Sequence, residues 1–130
     1  MRLAAILVAS AIAAWAADPP KDVLQFLRSA AEDLADQNPN GFLDHFDSNL
    51  PGLATLKDEV SVLAQADVES TIEFVSDEGD DQQRDLQLDW LLRVNGGRPK
   101  HQLVQCRIAK QGKKWKITEL KPIEFFAAAP

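Results

Sequence analysis

From Arg84 to Val94 apolar and polar residues alternate: Leu86, Leu88, Trp90, Leu92 and Val94 take the even positions, and Asp85, Gln87, Asp89, Leu91 and Arg93 the odd ones. Alternation over this length requires a strand with one face in a core and the other wetter. A helix would scatter the leucines around its whole circumference. Shorter runs repeat the pattern: Val68, Ser70, Ile72 and Phe74 upstream, then Val104, Cys106 and Ile108, then Trp115 and Ile117. The runs are separated by Asp77–Asp81, Asn95–Pro99 and Lys110–Lys113, all of turn-forming composition. Residues 66–126 therefore read as a four-stranded antiparallel meander.

The apolar face constrains the register, because a one-residue slip would turn it into water. A three-residue loop at Gly79–Asp81 sets Phe74 opposite Leu86, Ile72 opposite Leu88 and Ser70 opposite Trp90. A three-residue loop at Gly96–Arg98 sets Trp90 opposite Val104 and Leu88 opposite Cys106, and a two-residue turn at Gln111-Gly112 sets Ile108 opposite Trp115 and Cys106 opposite Ile117. The three hairpins agree on one inner face.

Ahead of the sheet, Leu24, Leu27, Ala31 and Leu34, with Val23 and Phe26 beside them, fall at helical spacing between Lys21 and about Asp36. Asn38-Pro39 stops that helix. A short second helix from about Pro39 carries Phe42, Leu43 and Phe46, and a third near Leu56–Gln65 presents Leu56, Val60 and Leu63. Helices first and antiparallel strands afterwards give an α+β fold with the helices on one face of the sheet.

The chain has 130 residues, which suits one domain. Its start has one positive charge at Arg2, a largely apolar run from Leu3 to Trp15, and the small-x-small sequence Ala14-Trp15-Ala16. This is the pattern of a signal peptide, and the run is too short to span a bilayer. Residues 1–16 are expected to be removed, leaving residues 17–130 as a single secreted or periplasmic domain. The whole chain has 14 basic and 20 acidic side chains, a net charge of −6, and losing Arg2 makes it more negative still. Nucleic acid and, after cleavage, anionic membranes are therefore not expected partners.

The order helix, short helix carrying Phe42-Leu43-Asp44-His45-Phe46-Asp47, third helix, and a meander ending Trp115-Lys116-Ile117-Thr118-Glu119-Leu120 resembles the nuclear transport factor 2-like superfamily, which includes SnoaL-like and ketosteroid-isomerase-like proteins. The likeness covers about residues 20–126. It implies a cone in which a strongly curved sheet wraps the first helix and encloses a pocket. Ser48–Thr55 is too short for the small strand pair that the family commonly inserts there, which implies a shallower or differently closed mouth.

Under that resemblance Phe42, Phe46, Ser70, Trp90 and Cys106 are expected to line a pocket for a small apolar ligand. None of the inward sheet positions holds an acid or base, and the chain has no tyrosine to stabilise an oxyanion. Glu69, Glu73, Asp85 and Asp89 fall on the outer face, as does His101, opposite Arg93. The leading expectation is thus a non-catalytic domain that binds a small ligand or a protein. The alternative is a SnoaL- or isomerase-type enzyme using His45 with Asp44 or Asp47, and a cystatin-like inhibitor is a third reading. Cys106 reads as a small buried hydrophobe without a base to activate it. Two isolated histidines and an acidic hairpin tip lack metal-ligand spacing, so no metal or cofactor is expected. Leu91 is expected opposite Leu103 on the outer face, with Val75 nearby, as the seed of a homodimer.

Overall fold

Three antiparallel hairpins join β1 (Val68–Gly79), β2 (Gln83–Val94), β3 (Lys100–Gln111) and β4 (Lys114–Lys121) into one sheet in the order β1-β2-β3-β4. This computed structural model describes residues 19–127; the expected signal peptide, Met1–Ala16, and its cleavage site before Ala17 lie outside the described residues. Helices α1 (Lys21–Ala35), α2 (Pro39–Leu43) and α3 (Leu53–Leu63) precede the sheet, and a 3-10 turn, Ile123–Phe126, follows it. The inner face is the expected one: Ser70, Ile72, Leu86, Leu88, Trp90, Leu92, Val104, Cys106, Ile108, Trp115 and Ile117 are all buried.

The pairing along that face differs from expectation at every hairpin. Phe74 lies opposite Leu88, Ile72 opposite Trp90 and Ser70 opposite Leu92. Leu88 faces Val104 and Leu86 faces Cys106, while Trp90 faces Gln102. Ile108 faces Ile117, Trp115 faces Lys110 and Cys106 faces Leu120. The causes are local. The first turn occupies Asp80–Gln83, where Asp80 Oδ1 accepts from the backbone N–H groups of Gln82 and Gln83. A bulge between Phe74 and Ser76 takes up the odd residue. In the second hairpin Asn95 is tied to Asp67 through both its backbone N–H and its side chain, which moves the turn back along β2. In the third, the two-residue turn is Gly112-Lys113, and a bulge after Ile117 restores the inner face at Leu120. Away from the bulges each shift is two residues, which keeps side chains on their expected faces, whereas beyond the bulges the faces change over and set Ser76 with Gln87 and Leu120 with Cys106.

Helix α1 lays Val23, Leu27, Ala30, Ala31 and Leu34 on the core, while Leu24 is only half-buried. The helix ends where Gln37 takes a left-handed conformation and donates from its side chain to Ala66 O at 2.6 Å. Asn38 caps α2 by accepting from Gly41 N–H, and Pro39 follows at the position where a missing N–H costs nothing. Helix α3 starts at Leu53, earlier than its leucine spacing suggests. Gly52 caps it at φ +82°, a conformation that disfavours any side chain.

Candidate functional site

The residues expected to line a pocket inside the fold pack against one another. Phe42 meets Phe46 at 5.1 Å between ring centroids and Trp90 at 6.4 Å. Phe126 of the terminal turn stands edge-on to Trp90 at 5.1 Å, with Phe125 against both. Trp90 Nε1 donates to Ser70 Oγ at 2.9 Å, satisfying both buried polar groups. Cys106 is buried opposite Leu86 and Leu120, and burial pushes its thiol up to about 12. At that value the thiol is inert as a nucleophile at neutral pH. The two terminal phenylalanines, which the strand pattern does not reach, occupy space where a ligand was expected.

His45 lies elsewhere, in a lateral groove between the N-terminal half of α1 and the β3–β4 hairpin. Its position follows from main-chain bonds: His45 O accepts from Ile117 N–H and Asp47 N–H donates to Ile117 O, both at 2.8 Å. Residues 45–47 are thereby clamped along the edge of β4, with Phe46 turned inward. The His45 ring donates from Nδ1 to Gly41 O at 2.8 Å and stacks obliquely on Phe26 at 5.1 Å. A carbonyl can only accept, so Nδ1 carries the proton and Nε2 is the open ring nitrogen.

The groove has a volume of about 420 Å³, and its aromatic walls are Phe26, His45 and Trp115. Lys113, Lys114 and Lys116 stand along it with Asp22 and Asp44. Trp115 Nε1 donates to Asp22 Oδ2 at 2.9 Å, and this bond holds the Asp22 carboxyl below its ordinary range. Lys110 Nζ sits 5.1 Å over the Trp115 ring, a cation–π contact that steadies the indole. Lys116 Nζ donates to Asp44 O, which pins the end of α2 to β4.

Of the two aspartates expected beside His45, Asp44 shares the groove, whereas Asp47 turns away to accept from Gln111 Nε2 at 2.7 Å. The carboxylate near the imidazole is Asp33, 3.8 Å from Nδ1. It sits on the wet side of α1, and no sequence spacing links it to His45. Its contact is with the ring nitrogen already bound to Gly41 O, so no carboxylate polarises Nε2 in the manner of a general-base pair. The groove can recognise aromatic surface by stacking and can accept one hydrogen bond at Nε2.

On the outer face a polar hollow of about 280 Å³ lies over Gln87, Gln105 and an Asp85–Arg107 pair bonded at 2.7 Å. His101 is also on this face, opposite Leu91 instead of Arg93, with Nδ1 3.3 Å from Asp89 Oδ1. Leu103 lies opposite Asp89, so Leu91 and Leu103 are diagonal neighbours and not a direct pair.

No protein-family model and no curated protein sequence matches the chain. Solved structures do. Bd1075 of Bdellovibrio bacteriovorus superposes with a TM-score of 0.68 at 11% identity over 78% of this chain, which spans only 40% of that protein. An NTF-2 like protein of unknown function from Shewanella oneidensis MR-1 superposes with a TM-score of 0.67 at 11% identity, over 76% of this chain and 93% of that one. A Novosphingobium aromaticivorans DSM 12444 protein provisionally named a scytalone dehydratase gives a TM-score of 0.64 at 10% identity, over 77% of this chain and 79% of that one. With three helices on the inner face of a four-stranded antiparallel meander, this chain has the nuclear transport factor 2-like fold.

Proposed function

We propose that this chain is a non-catalytic binding domain that acts outside the cytoplasm and takes a small, largely apolar ligand in the groove beside His45. The observation carrying this reading is the pairing of an aromatic-walled groove with an imidazole whose open nitrogen has no carboxylate partner. Inside the fold Phe125 and Phe126 pack on Trp90 and Phe42, and Ser70 is the one buried polar residue of the described core. Native mass spectrometry of the purified protein against a panel of small aromatic molecules tests the reading. Binding should weaken in His45→Ala and in Phe26→Ala while the fold persists, and a panel in which no ligand loses affinity in either variant would overturn it.

Export rests on the apolar run ending in Ala14-Trp15-Ala16. N-terminal sequencing of the protein recovered from its producing cells should begin within a residue or two of Ala17. Met1 or Arg2 at the start of the accumulated protein would rule export by cleavage out.

The enzyme reading keeps one supporting observation: Gly41 O fixes the His45 tautomer and leaves the Nε2 lone pair open to take a proton. The provisional name of the Novosphingobium structure belongs to the same line of support. Turnover of any panel compound, lost in His45→Gln with binding retained, would favour this reading over simple binding.

A further inference from the structure

The terminal turn is anchored unlike the rest of the chain. Ladder pairing of β4 ends at Lys121, opposite Gln105. Beyond it, Phe125 N–H bonds back to Pro122 O and Ala127 N–H to Glu124 O, both inside the turn. Among the described residues, the turn's backbone reaches outside itself only through Phe125 O and Ala127 O. Both accept from Lys100 Nζ, at 2.7 and 2.8 Å. The same ammonium lies 5.3 Å from the centre of the Phe125 ring. The remaining hold is apolar: Phe125 and Phe126 against Trp90, Phe126 against Phe42 at 5.6 Å, and Ile123 against the edge of the core.

One group works against this docking. Glu59 of α3 faces Glu124 of the turn, and burial together with that like charge raises its carboxyl above the ordinary range. One Glu59 carboxylate oxygen is sealed from solvent with no hydrogen-bond partner among the described residues. Lys100, drawn partly out of water, is held below the ordinary lysine range, with Glu59 acting in the opposite sense. The turn is thus held by Ile123, two rings and one lysine, and opposed by a carboxylate pair.

We propose that the terminal turn is a displaceable plug: Phe125 and Phe126 fill the space between α3 and the inner face of the sheet, Lys100 latches them there, and undocking admits a neutral aromatic molecule onto Trp90 and Phe42. Aromatic character follows from the rings the guest replaces. Neutrality with a carbonyl acceptor follows from Lys100, which now holds two carbonyl oxygens, and from Glu59, which would repel an anion. The plug is separate from the His45 groove, and neither proposal depends on the other.

A reversible tether tests it. A Cβ built on Gly52 would lie 3.9 Å from Cβ of Ile123, within the spacing a disulfide spans. The double variant Gly52→Cys with Ile123→Cys would lock the turn to the start of α3 when oxidised and free it when reduced. Any cost of a side chain at the left-handed Gly52 is common to both forms. The probe is prodan, a neutral naphthyl ketone whose emission shifts on leaving water. The reduced variant and the unmodified chain should bind it saturably, and oxidation should weaken binding roughly tenfold or more, because the binding-competent population is removed. Equal affinity in both redox forms, or no saturable binding to the unmodified chain, would overturn the proposal. Should the variant not fold, hydrogen exchange on the unmodified chain decides. Prodan should accelerate exchange at the Phe125 and Ala127 amides, and unchanged protection with prodan bound would refute displacement.

Discussion

The indole N–H of Trp90 donates to Ser70 Oγ across 2.9 Å, diagonally over the buried middle of the sheet, since Ser70 lies directly opposite Leu92 and Trp90 opposite Ile72. The bond lets the largest fully buried side chain place its one polar atom without reaching water. Leaving that N–H unpaired costs about 1–3 kcal/mol, so Ser70→Ala should destabilise the chain by that amount in urea denaturation. Trp90→Ala adds a cavity beside Phe42 and Phe126 and should cost about 3–5 kcal/mol. A Ser70→Ala loss within about 0.3 kcal/mol of zero would show that the indole finds another acceptor.

That diagonal also shows what the sequence discloses and what it hides. Alternation in β2 marks which side chains face inward, and a two-residue slip leaves those faces intact, so Trp90 and Ser70 could be placed on the inner face without knowing their partners. Register depended on where each turn closes. Asp80 capping two N–H groups and Asn95 bonding to Asp67 moved the turns, and a bulge at Val75 has no compositional mark. Phe125 and Phe126 lie past the last strand, outside any period, yet two adjacent phenylalanines must find burial somewhere, and that signal was available. For the site, Phe42-x-x-His45-Phe46 marks the segment that carries His45 into the groove, while the His45–Asp33 proximity joins α1 to the turn after α2 through tertiary packing and no spacing rule could supply it.

Cys106 makes the stability of this chain fall in alkali. Its thiol is buried and pushed up to about 12, so the folded state favours the neutral form. The contribution is whole below the unfolded thiol range, near 8.5, and is lost as pH rises from there through the folded value. Cys106→Ala lacks this dependence. The stability gap between the two proteins should therefore narrow by up to about 1.4 kcal/mol per pH unit above about 9, read by denaturation at a series of pH values. A constant gap would mean that the thiolate is reached by water in the native state.

Lys100 offers a test of how tightly the terminal turn is held. Replacing it with methionine keeps the stem and removes the ammonium that holds Phe125 O and Ala127 O. Hydrogen bonds to a charged donor contribute about 1.5–3 kcal/mol, so exchange at the Phe125 and Ala127 amides should quicken roughly tenfold to a hundredfold. Amides in the centre of β2 and β3 should exchange as before. If the turn and the sheet quicken together, the turn opens only with global unfolding.

The outer face carries the last prediction. Leu103 is 49% exposed and Val75, unpaired at its bulge, is 55% exposed, while Leu91 beside them is half-buried. Around them Glu73 lies directly opposite Asp89, a like-charge pair that costs stability on an isolated sheet. His101 lies 3.3 Å from Asp89 and Arg93 3.1 Å from Glu69, and among the described residues no guanidinium or ammonium meets Glu73 in the way Arg107 meets Asp85. A two-fold partner laid across this face would cover Leu103 and Val75 and could bring the partner's cations to Glu73. We propose that the chain self-associates here. Sedimentation should then show a dimer that weakens in added salt, and Leu91→Glu with Leu103→Glu should give a folded monomer, because both lie on the outer face and neither belongs to the core. A monomer at millimolar concentration without any substitution would end the proposal and leave the Glu73–Asp89 opposition as an uncompensated cost of the sheet.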